Sequence, residues 1–176
     1  PIPGLARARV ASREASLWRI PAFVLFVVVC SELAMAMRAF VHEWVIHYKH
    51  HDAYQEANFA VWEAIGGEIR GTAWLHLAVA LGAAGLVAWI LSRRQVPTAP
   101  TLLVLGLPLA VAAAVLLLEV PVDPTAPRDP RFLGALRRFA LDTTTLIVHG
   151  AALVVFVVQH RRRRRGPDLE ALKDAF

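Results

Sequence analysis

Cysteine is nearly absent from this chain of 176 residues, since Cys30 is the only one present. A single cysteine excludes an intramolecular disulfide framework and a cysteine-based zinc site. Cys30 lies inside an apolar run, and we interpret it as a small buried apolar residue. Val29 precedes it where a lipoprotein cleavage site requires a small residue, so lipidation is not expected.

Charged side chains are also scarce, because they make up 19% of the chain whereas hydrophobic residues make up 57%. The mean hydropathy of +0.49 is too high for a soluble domain, whose surface must be largely polar. A net charge of +5 could indicate a nucleic-acid partner, but the basic residues cluster beside apolar runs. The composition therefore predicts a membrane protein that does not bind nucleic acid.

Four apolar runs predict an all-α integral membrane four-helix bundle, folded as a single domain with an exofacial helical extension. The predicted spans cover residues 20–40, 72–92, 101–119 and 139–160. Each is long enough to cross a hydrocarbon core of ~30 Å. Ala34-Met35-Ala36 imitates a signal-peptide cleavage site, but Glu32 just before it is unusual for a secretory segment. We therefore expect the first run to be a retained helix.

The distribution of basic residues predicts the orientation of the bundle. Most of the 19 Lys and Arg residues lie in the N-terminal segment, at Arg93-Arg94 and in the tail 161–176. By the positive-inside rule, both termini are cytoplasmic and residues 41–70 and 120–138 lie outside, as in a protein of the bacterial inner membrane. We expect Arg161 to Arg165 to bind anionic lipid headgroups, and other membrane subunits are further candidate partners.

The two exofacial segments differ in their proline content. Residues 41–70 contain no proline and predict that the first helix continues to a break near residues 51–53. An amphipathic stretch follows, which is either an interfacial helix or an outward extension of span two. Residues 120–138 contain Pro121, Pro124, Pro127 and Pro130, and we interpret them as an extended loop.

A candidate metal site lies at the outer end of the first helix. Glu43, His47 and His51 are spaced i, i+4 and i+8, which places them along one stripe of a helix. Imidazole and carboxylate together suit copper, iron or zinc, and His76 near the outer end of span two is a fourth candidate ligand. The alternative is that these histidines belong to the membrane interface and bind no metal.

Polar residues within the spans form a second candidate site. Glu32 and His149 are predicted to lie at similar depth and to pair, because an unpaired charge in a bilayer is unfavourable. Asp142 shares a helical face with His149, so we consider Glu32, His149 and Asp142 as candidate catalytic residues. The alternative is a polar clamp that fixes helix packing. Haem ligation by His76 and His149 is disfavoured, because their predicted depths differ by ~9 Å.

Several short motifs resemble a known family. Trp62 lies in the helical segment after span one, Pro121-Val122-Asp123 ends span three, and Arg137-Arg138-Phe139 opens span four. Together with the four short spans, these motifs resemble the small four-helix membrane family that includes anthrone oxygenases. The resemblance implies a four-helix fold and oxygenation of an aromatic polyketide, but it supplies no matching set of catalytic residues.

Two functions fit these features. The first is a membrane oxidoreductase, such as a metal-dependent oxygenase, or a subunit of one, which acts on a small apolar substrate or quinone at the exofacial end of the bundle. The second is a noncatalytic accessory subunit of a larger membrane redox or photosynthetic complex. Metal content and copurifying partners would distinguish the two.

Overall fold

The computed structural model describes residues 3–49, 59–118 and 130–173, with side chains over 18–48, 62–118 and 132–163. These ranges form helices joined by short connections and include no strand, which confirms the all-α prediction. The helices in chain order are α1 (Pro3–Lys49), α2 (Phe59–Arg93), α3 (Thr98–Leu117), α4 (Pro130–Ala140) and α5 (Thr143–Lys173).

Four of these helices are long and apolar enough to cross a membrane. The segments are Trp18–Tyr48, Trp62–Arg93, Thr98–Leu117 and Thr143–Arg163, so the predicted integral membrane architecture is confirmed. Large apolar side chains, including Phe23, Leu81 and Leu103, face outward and would contact lipid. Cys30 is exposed as well, so the interpretation of this residue as buried is wrong.

The extension of the first two spans beyond the predicted membrane boundary is helical. α1 continues to Lys49, as expected, and α2 runs without a break from Phe59 into the second span. Of the two predicted alternatives for the amphipathic stretch, the outward extension of span two is therefore correct. An edge-to-face contact between Phe40 and Trp74, with ring centroids 5.6 Å apart, joins α1 to α2. The predicted break near residues 51–53 lies outside the described residues.

The segment 120–138, the second of the two predicted to be exofacial, is only partly the extended loop that the sequence predicts. Residues 130–138 belong to α4, so the extended loop predicted for 120–138 is wrong over that part, and 119–129 lie outside the described ranges. Pro130 is the first residue of α4, where its missing amide proton costs no hydrogen bond and its fixed φ favours the helix. Arg137-Arg138-Phe139 consequently lies within α4, and the last span begins at Thr143 rather than at residue 139.

The connection between α2 and α3 is short, because α2 ends at Arg93 and α3 begins at Thr98. α2 ends at Arg93, and the amide of Arg94 donates to the carbonyl of Ile90 at 2.8 Å. Arg94 has a φ of 51°, the left-handed conformation that glycine usually adopts after a helix. We refer to the half of the bundle nearest this connection as the 94–97 half, and to the other as the α4 half.

Two apolar layers form the core of the bundle. In the 94–97 half, the buried residues include Leu25, Val28, Ala83, Ile90, Leu105, Ala152 and Phe156. In the α4 half, Ala36, Ile69, Ala73, Ala135, Phe139 and Ala140 are buried. Many of these residues are alanine, whose small side chain lets helices approach closely in a membrane. Between the two layers lies a group of buried polar side chains.

Candidate functional site

Glu32 lies at the centre of the polar group. It occupies the middle of the membrane-spanning segment Trp18–Tyr48 and is fully buried. The sequence predicts that Glu32 faces the bundle interior, and this is confirmed. A carboxylate at this depth is unfavourable unless it is paired, because the bilayer core provides no water to solvate it.

Two histidines from different helices bind the two oxygens of Glu32. Nδ1 of His76 on α2 lies 2.5 Å from Oε2, and Nε2 of His149 on α5 lies 3.0 Å from Oε1. Both imidazoles are buried, and the predicted pairing of Glu32 with His149 is confirmed. The contact with His76 was not predicted, because the sequence pattern assigned His76 to the outer metal site. We call Glu32, His76 and His149 the buried triad.

A backbone carbonyl of α3 completes the network. Nδ1 of His149 lies 3.3 Å from the oxygen of Leu105, which can only accept a hydrogen bond. If Glu32 is ionised and accepts from Nε2, both nitrogens of His149 donate, and this ring is a cation. His76 then donates from Nδ1 to Oε2, and in its neutral form it has a lone pair on Nε2. The triad as a whole has no net charge in this arrangement, which reduces the cost of burying it.

The depth of the two histidines also differs from its prediction. The expected offset of ~9 Å assumed that span four begins at residue 139. Because α5 begins at Thr143, His149 lies six residues from the start of its helix rather than ten, which brings it to the depth of His76, and both rings contact the same carboxylate. The argument from depth against joint ligation is therefore wrong. His149 nevertheless has both nitrogens engaged by Glu32 and Leu105.

A half-open pocket of about 150 Å³ lies next to the triad. His76 lines this pocket, and its Nε2 is buried and has no hydrogen-bond partner within the described part of the chain. Apolar walls are formed by Met35, Ala39 and Ile69, and Thr72 adds a hydroxyl group. The ring of Phe139 packs edge-on against His76 with centroids 4.8 Å apart. The pocket thus combines one polar group at its inner end with apolar surfaces.

Charged side chains surround the outer part of the pocket. Arg38 and His42 from α1, Arg138 from α4 and Asp142 from the α4–α5 connection line it. Arg38, His42 and Arg138 are exposed, so the pocket opens on the α4 half of the bundle. On the other side of the triad, the apolar layer around Leu25 and Val28 fills the 94–97 half of the bundle. Sequence reasoning missed Arg38, although a basic residue six positions after a buried glutamate was a usable signal.

Asp142, a predicted catalytic residue, has a structural contact of its own. Its Oδ2 accepts a hydrogen bond of 2.8 Å from the backbone amide of Thr145, which is the geometry of a helix N-cap at the start of α5. The helical face that Asp142 was predicted to share with His149 therefore begins with a cap. Asp142 also lines the pocket, whereas the buried hydroxyl of Thr145 has no partner among the described residues.

The predicted outer metal ligands are not brought together where the structure describes them. Glu43 forms an ion pair of 2.5 Å with Arg70, and His47 is exposed and packs against the ring of Tyr48. His51 lies outside the described residues, and His76 contacts Glu32 instead of Glu43. No group of three or more metal-binding side chains occurs in the described ranges. The outer metal site therefore stays a prediction that no observed contact supports.

The distances within the triad differ from those of a metal site. Two ligands of a tetrahedral zinc ion lie ~3.3 Å apart, since each bond to the metal is ~2.0–2.1 Å long. The contacts between Glu32 and the two imidazoles, 2.5 and 3.0 Å, are shorter than this separation. They correspond to direct hydrogen bonds. Copper, iron and zinc thus find no preformed site among these three residues.

Binding of anionic lipid headgroups by Arg161 to Arg165, at the end of α5, stays a prediction. Arg161 and Arg162 are exposed beyond the apolar part of the last span, which is compatible with headgroup binding.

Comparison with known proteins found no match: no protein-family model matches the chain, and no curated protein or solved structure shows significant similarity to it.

Proposed function

We propose that this protein is a membrane oxidoreductase, or a subunit of one, which binds a quinol or another small hydroxylated aromatic molecule beside His76. The observation that supports this proposal is that His76 lines the pocket and that its buried Nε2 has no partner in the described part of the chain. A neutral imidazole held through Nδ1–H by a carboxylate presents a lone pair at Nε2, which can accept a hydrogen bond from a hydroxyl group.

The size and walls of the pocket suit one aromatic ring. A cavity of roughly 150 Å³ accommodates a benzene-sized molecule, and the pocket has this volume. Met35, Ala39 and Ile69 would contact the ring, while its hydroxyl group donates to Nε2 of His76. A longer apolar tail would extend through the open side of the pocket toward lipid. The resemblance to the family that includes anthrone oxygenases agrees with an aromatic substrate.

The chemical step is proton-coupled oxidation. Conversion of a quinol to a quinone breaks two O–H bonds and releases two protons and two electrons. His76 accepts one proton at Nε2, and Glu32 stabilises the resulting imidazolium. The second proton leaves through the open side of the pocket, and the electrons pass to a separate redox partner. A flavoprotein or iron–sulfur subunit would meet this requirement, which is why a subunit role is included in the proposal.

The noncatalytic alternative has an observation in its favour as well. The triad and the Leu105 carbonyl connect α1, α2, α3 and α5, so the network joins all four membrane-spanning helices. Buried polar contacts of this kind stabilise helix association in membranes. In an accessory subunit, this network would fix the helix packing and the pocket would remain without a substrate.

Binding of a quinol to His76 variants separates the two functions. Wild-type protein in nanodiscs is titrated calorimetrically with decylubiquinol and with decylubiquinone under anaerobic conditions. We expect tighter binding of the quinol, because only its hydroxyl group can donate to Nε2. His76→Asn keeps a donor for Glu32 but has no atom at the position of Nε2, and should weaken quinol binding about 2- to 10-fold, the range of one neutral hydrogen bond.

The matched control is His160→Asn. His160 stacks on Phe156 in the 94–97 half of the bundle, far from the pocket along α5, and its replacement should leave binding unchanged. If wild-type protein binds neither form, or if His76→Asn binds the quinol as tightly as wild type does, the oxidoreductase proposal fails. The network is then left with its role in helix packing.

A further inference from the structure

The charges at the open side of the pocket are unequal. Arg38, His42 and Arg138 are basic, and Asp142 is the one acidic side chain among the lining residues. Asp142 already accepts a hydrogen bond from the amide of Thr145. The acid is therefore engaged by the start of α5, and the basic side chains outnumber it at the pocket opening.

Arg38 has no counter-ion in the described part of the chain, which contains no ion pair or hydrogen bond to its guanidinium. It lies six residues after Glu32 on α1, within the apolar segment Trp18–Tyr48. An unpaired guanidinium at this depth is unfavourable, because lipid tails cannot solvate it. The protein tolerates this charge at a position where the side chain lines a pocket.

Arg138 uses only part of its hydrogen-bonding capacity within the described residues. Its Nε pairs with Oε2 of Glu68 at 3.0 Å, and no contact of its terminal nitrogens occurs among the residues described. Glu68 is placed by close packing of α4, since a Cβ atom at Gly134 would overlap its carboxyl group. The ion pair thus fixes Arg138 at the pocket while its terminal nitrogens remain able to bind a second anion.

We propose that the molecule bound in this pocket has an anionic oxygen group, a carboxylate or a phosphate, which Arg38 and Arg138 bind at the pocket opening. This inference names the substrate class for the site and rests on the proposed function. Six helical residues separate Arg38 from Glu32, which is ~9 Å along α1 at ~1.5 Å per residue, so the anion would bind nearer the pocket opening than the hydroxyl group at His76. Arginine suits this role, since its planar group binds carboxylate and phosphate oxygens in pairs.

The anion could come from the substrate itself or from the phosphate of a lipid headgroup that enters the open side. Both have the same chemistry, an oxyanion at the boundary of an apolar cavity. A substrate acid would be attached to the molecule that reaches His76. A lipid phosphate would instead occupy the opening while a neutral substrate occupies the interior.

A pair of probes that differ in one charge tests the inference. The first is a ubiquinol analogue whose alkyl tail ends in a carboxylate, and the second is its methyl ester. In phosphatidylcholine nanodiscs, the acid should bind at least about 10-fold more tightly than the ester, the value of a charged hydrogen bond. Arg38→Gln should remove this preference by weakening binding of the acid at least about 10-fold more than binding of the ester. Arg93→Gln, which is on the opposite side and stacks on Trp89, is the matched control and should change neither affinity.

The outcomes separate this inference from the proposed function. Equal binding of acid and ester to wild-type protein, with both dependent on His76, overturns the anion site and leaves the proposed function standing. An equal loss of both probes in Arg38→Gln also overturns it, since the arginine then acts on packing. If neither probe binds wild-type protein, the proposed function and the inference both fail.

A second membrane composition identifies the source of the anion. The titrations are repeated in nanodiscs that contain phosphatidylglycerol as well as phosphatidylcholine. If phosphatidylglycerol weakens binding of the acid but not of the ester, the result supports the anion site and assigns it to a lipid headgroup. Retention of the 10-fold preference in both membranes supports the site and assigns it to the substrate.

Discussion

Substitutions at Glu32 test whether the buried triad stabilises the bundle. Glu32→Leu retains the side-chain volume but removes both acceptors, so the imidazoles of His76 and His149 lose their partner. Glu32→Gln can accept from Nδ1–H of His76 and donate to Nε2 of a neutral His149, whose Nδ1–H still donates to Leu105. The glutamine variant therefore satisfies every hydrogen bond of the network, whereas the leucine variant breaks two.

The expected magnitudes follow from the number of contacts. Polar contacts between helices in membranes are worth ~0.6 kcal/mol on average and up to ~1.7 kcal/mol, so losing two costs roughly 1–3.5 kcal/mol for Glu32→Leu. Glu32→Gln should cost less than about 1 kcal/mol, because it loses an ion pair but no hydrogen bond. Glu32→Ala should be the least stable of the three, since a cavity in a packed core adds ~2 kcal/mol or more.

The free energy of unfolding is measured by titration with sodium dodecyl sulfate in mixed micelles, with tryptophan fluorescence as the signal. Leu33→Ala is the matched control, because Leu33 is the exposed neighbour of Glu32 and should change stability by less than about 0.5 kcal/mol. A Glu32→Leu protein as stable as wild type would refute the reasoning, because the triad would then contribute nothing to helix packing. Destabilisation of Glu32→Gln to the level of Glu32→Leu would refute the assigned hydrogen-bond pattern.

Three further predictions concern other parts of the chain. Gly134→Ala should stabilise the protein by less than the ~1 kcal/mol usual for this change in a helix, because the new Cβ displaces the carboxyl group of Glu68; a Glu68→Ala background should restore the full gain, and an additive double mutant in the same unfolding titration would contradict the packing. Arg94→Gly should stabilise the folded state by about 1 kcal/mol, since the left-handed φ of 51° is unfavourable for arginine, and an unchanged unfolding midpoint would argue against it. In a cysteine-free background, an impermeant maleimide should label Ala126→Cys from outside the cell but not Val96→Cys; the opposite pattern would reverse the predicted orientation.

The membrane-spanning helices could be predicted because their signal is strong and local. A long apolar run indicates a transmembrane helix whatever its neighbours are, and all four were found. The sequence does not predict the start of α4, because four prolines within residues 120–138 indicate an extended loop. Pro130 instead begins a helix, the position where proline is favoured. The resulting error in the start of span four also displaced the expected depth of His149.

The site could be predicted only in part, because it depends on which helix faces pack together. Burial of a charge indicates that Glu32 needs a partner, and His149 was identified from its position within the last span. His76 could have been found by the same reasoning, but the spacing of Glu43 and His47 favoured an outer metal site. Arg70 was the competing partner for Glu43. The spacing of residues within one helix does not show that an arginine on the next helix lies close enough to pair with the Glu43 carboxylate.

The opening of the pocket toward the α4 half has an electrical consequence. Glu32 lies midway along its membrane segment, and the apolar layer closes the other half of the bundle. A proton exchanged at His76 would therefore enter and leave on one side and cross roughly half of the membrane potential. Full transfer of a charge is worth ~2.3 kcal/mol per 100 mV, so half is ~1.2 kcal/mol, or about sevenfold in an equilibrium constant. Proton binding in this bundle would respond to voltage even though no proton crosses the membrane.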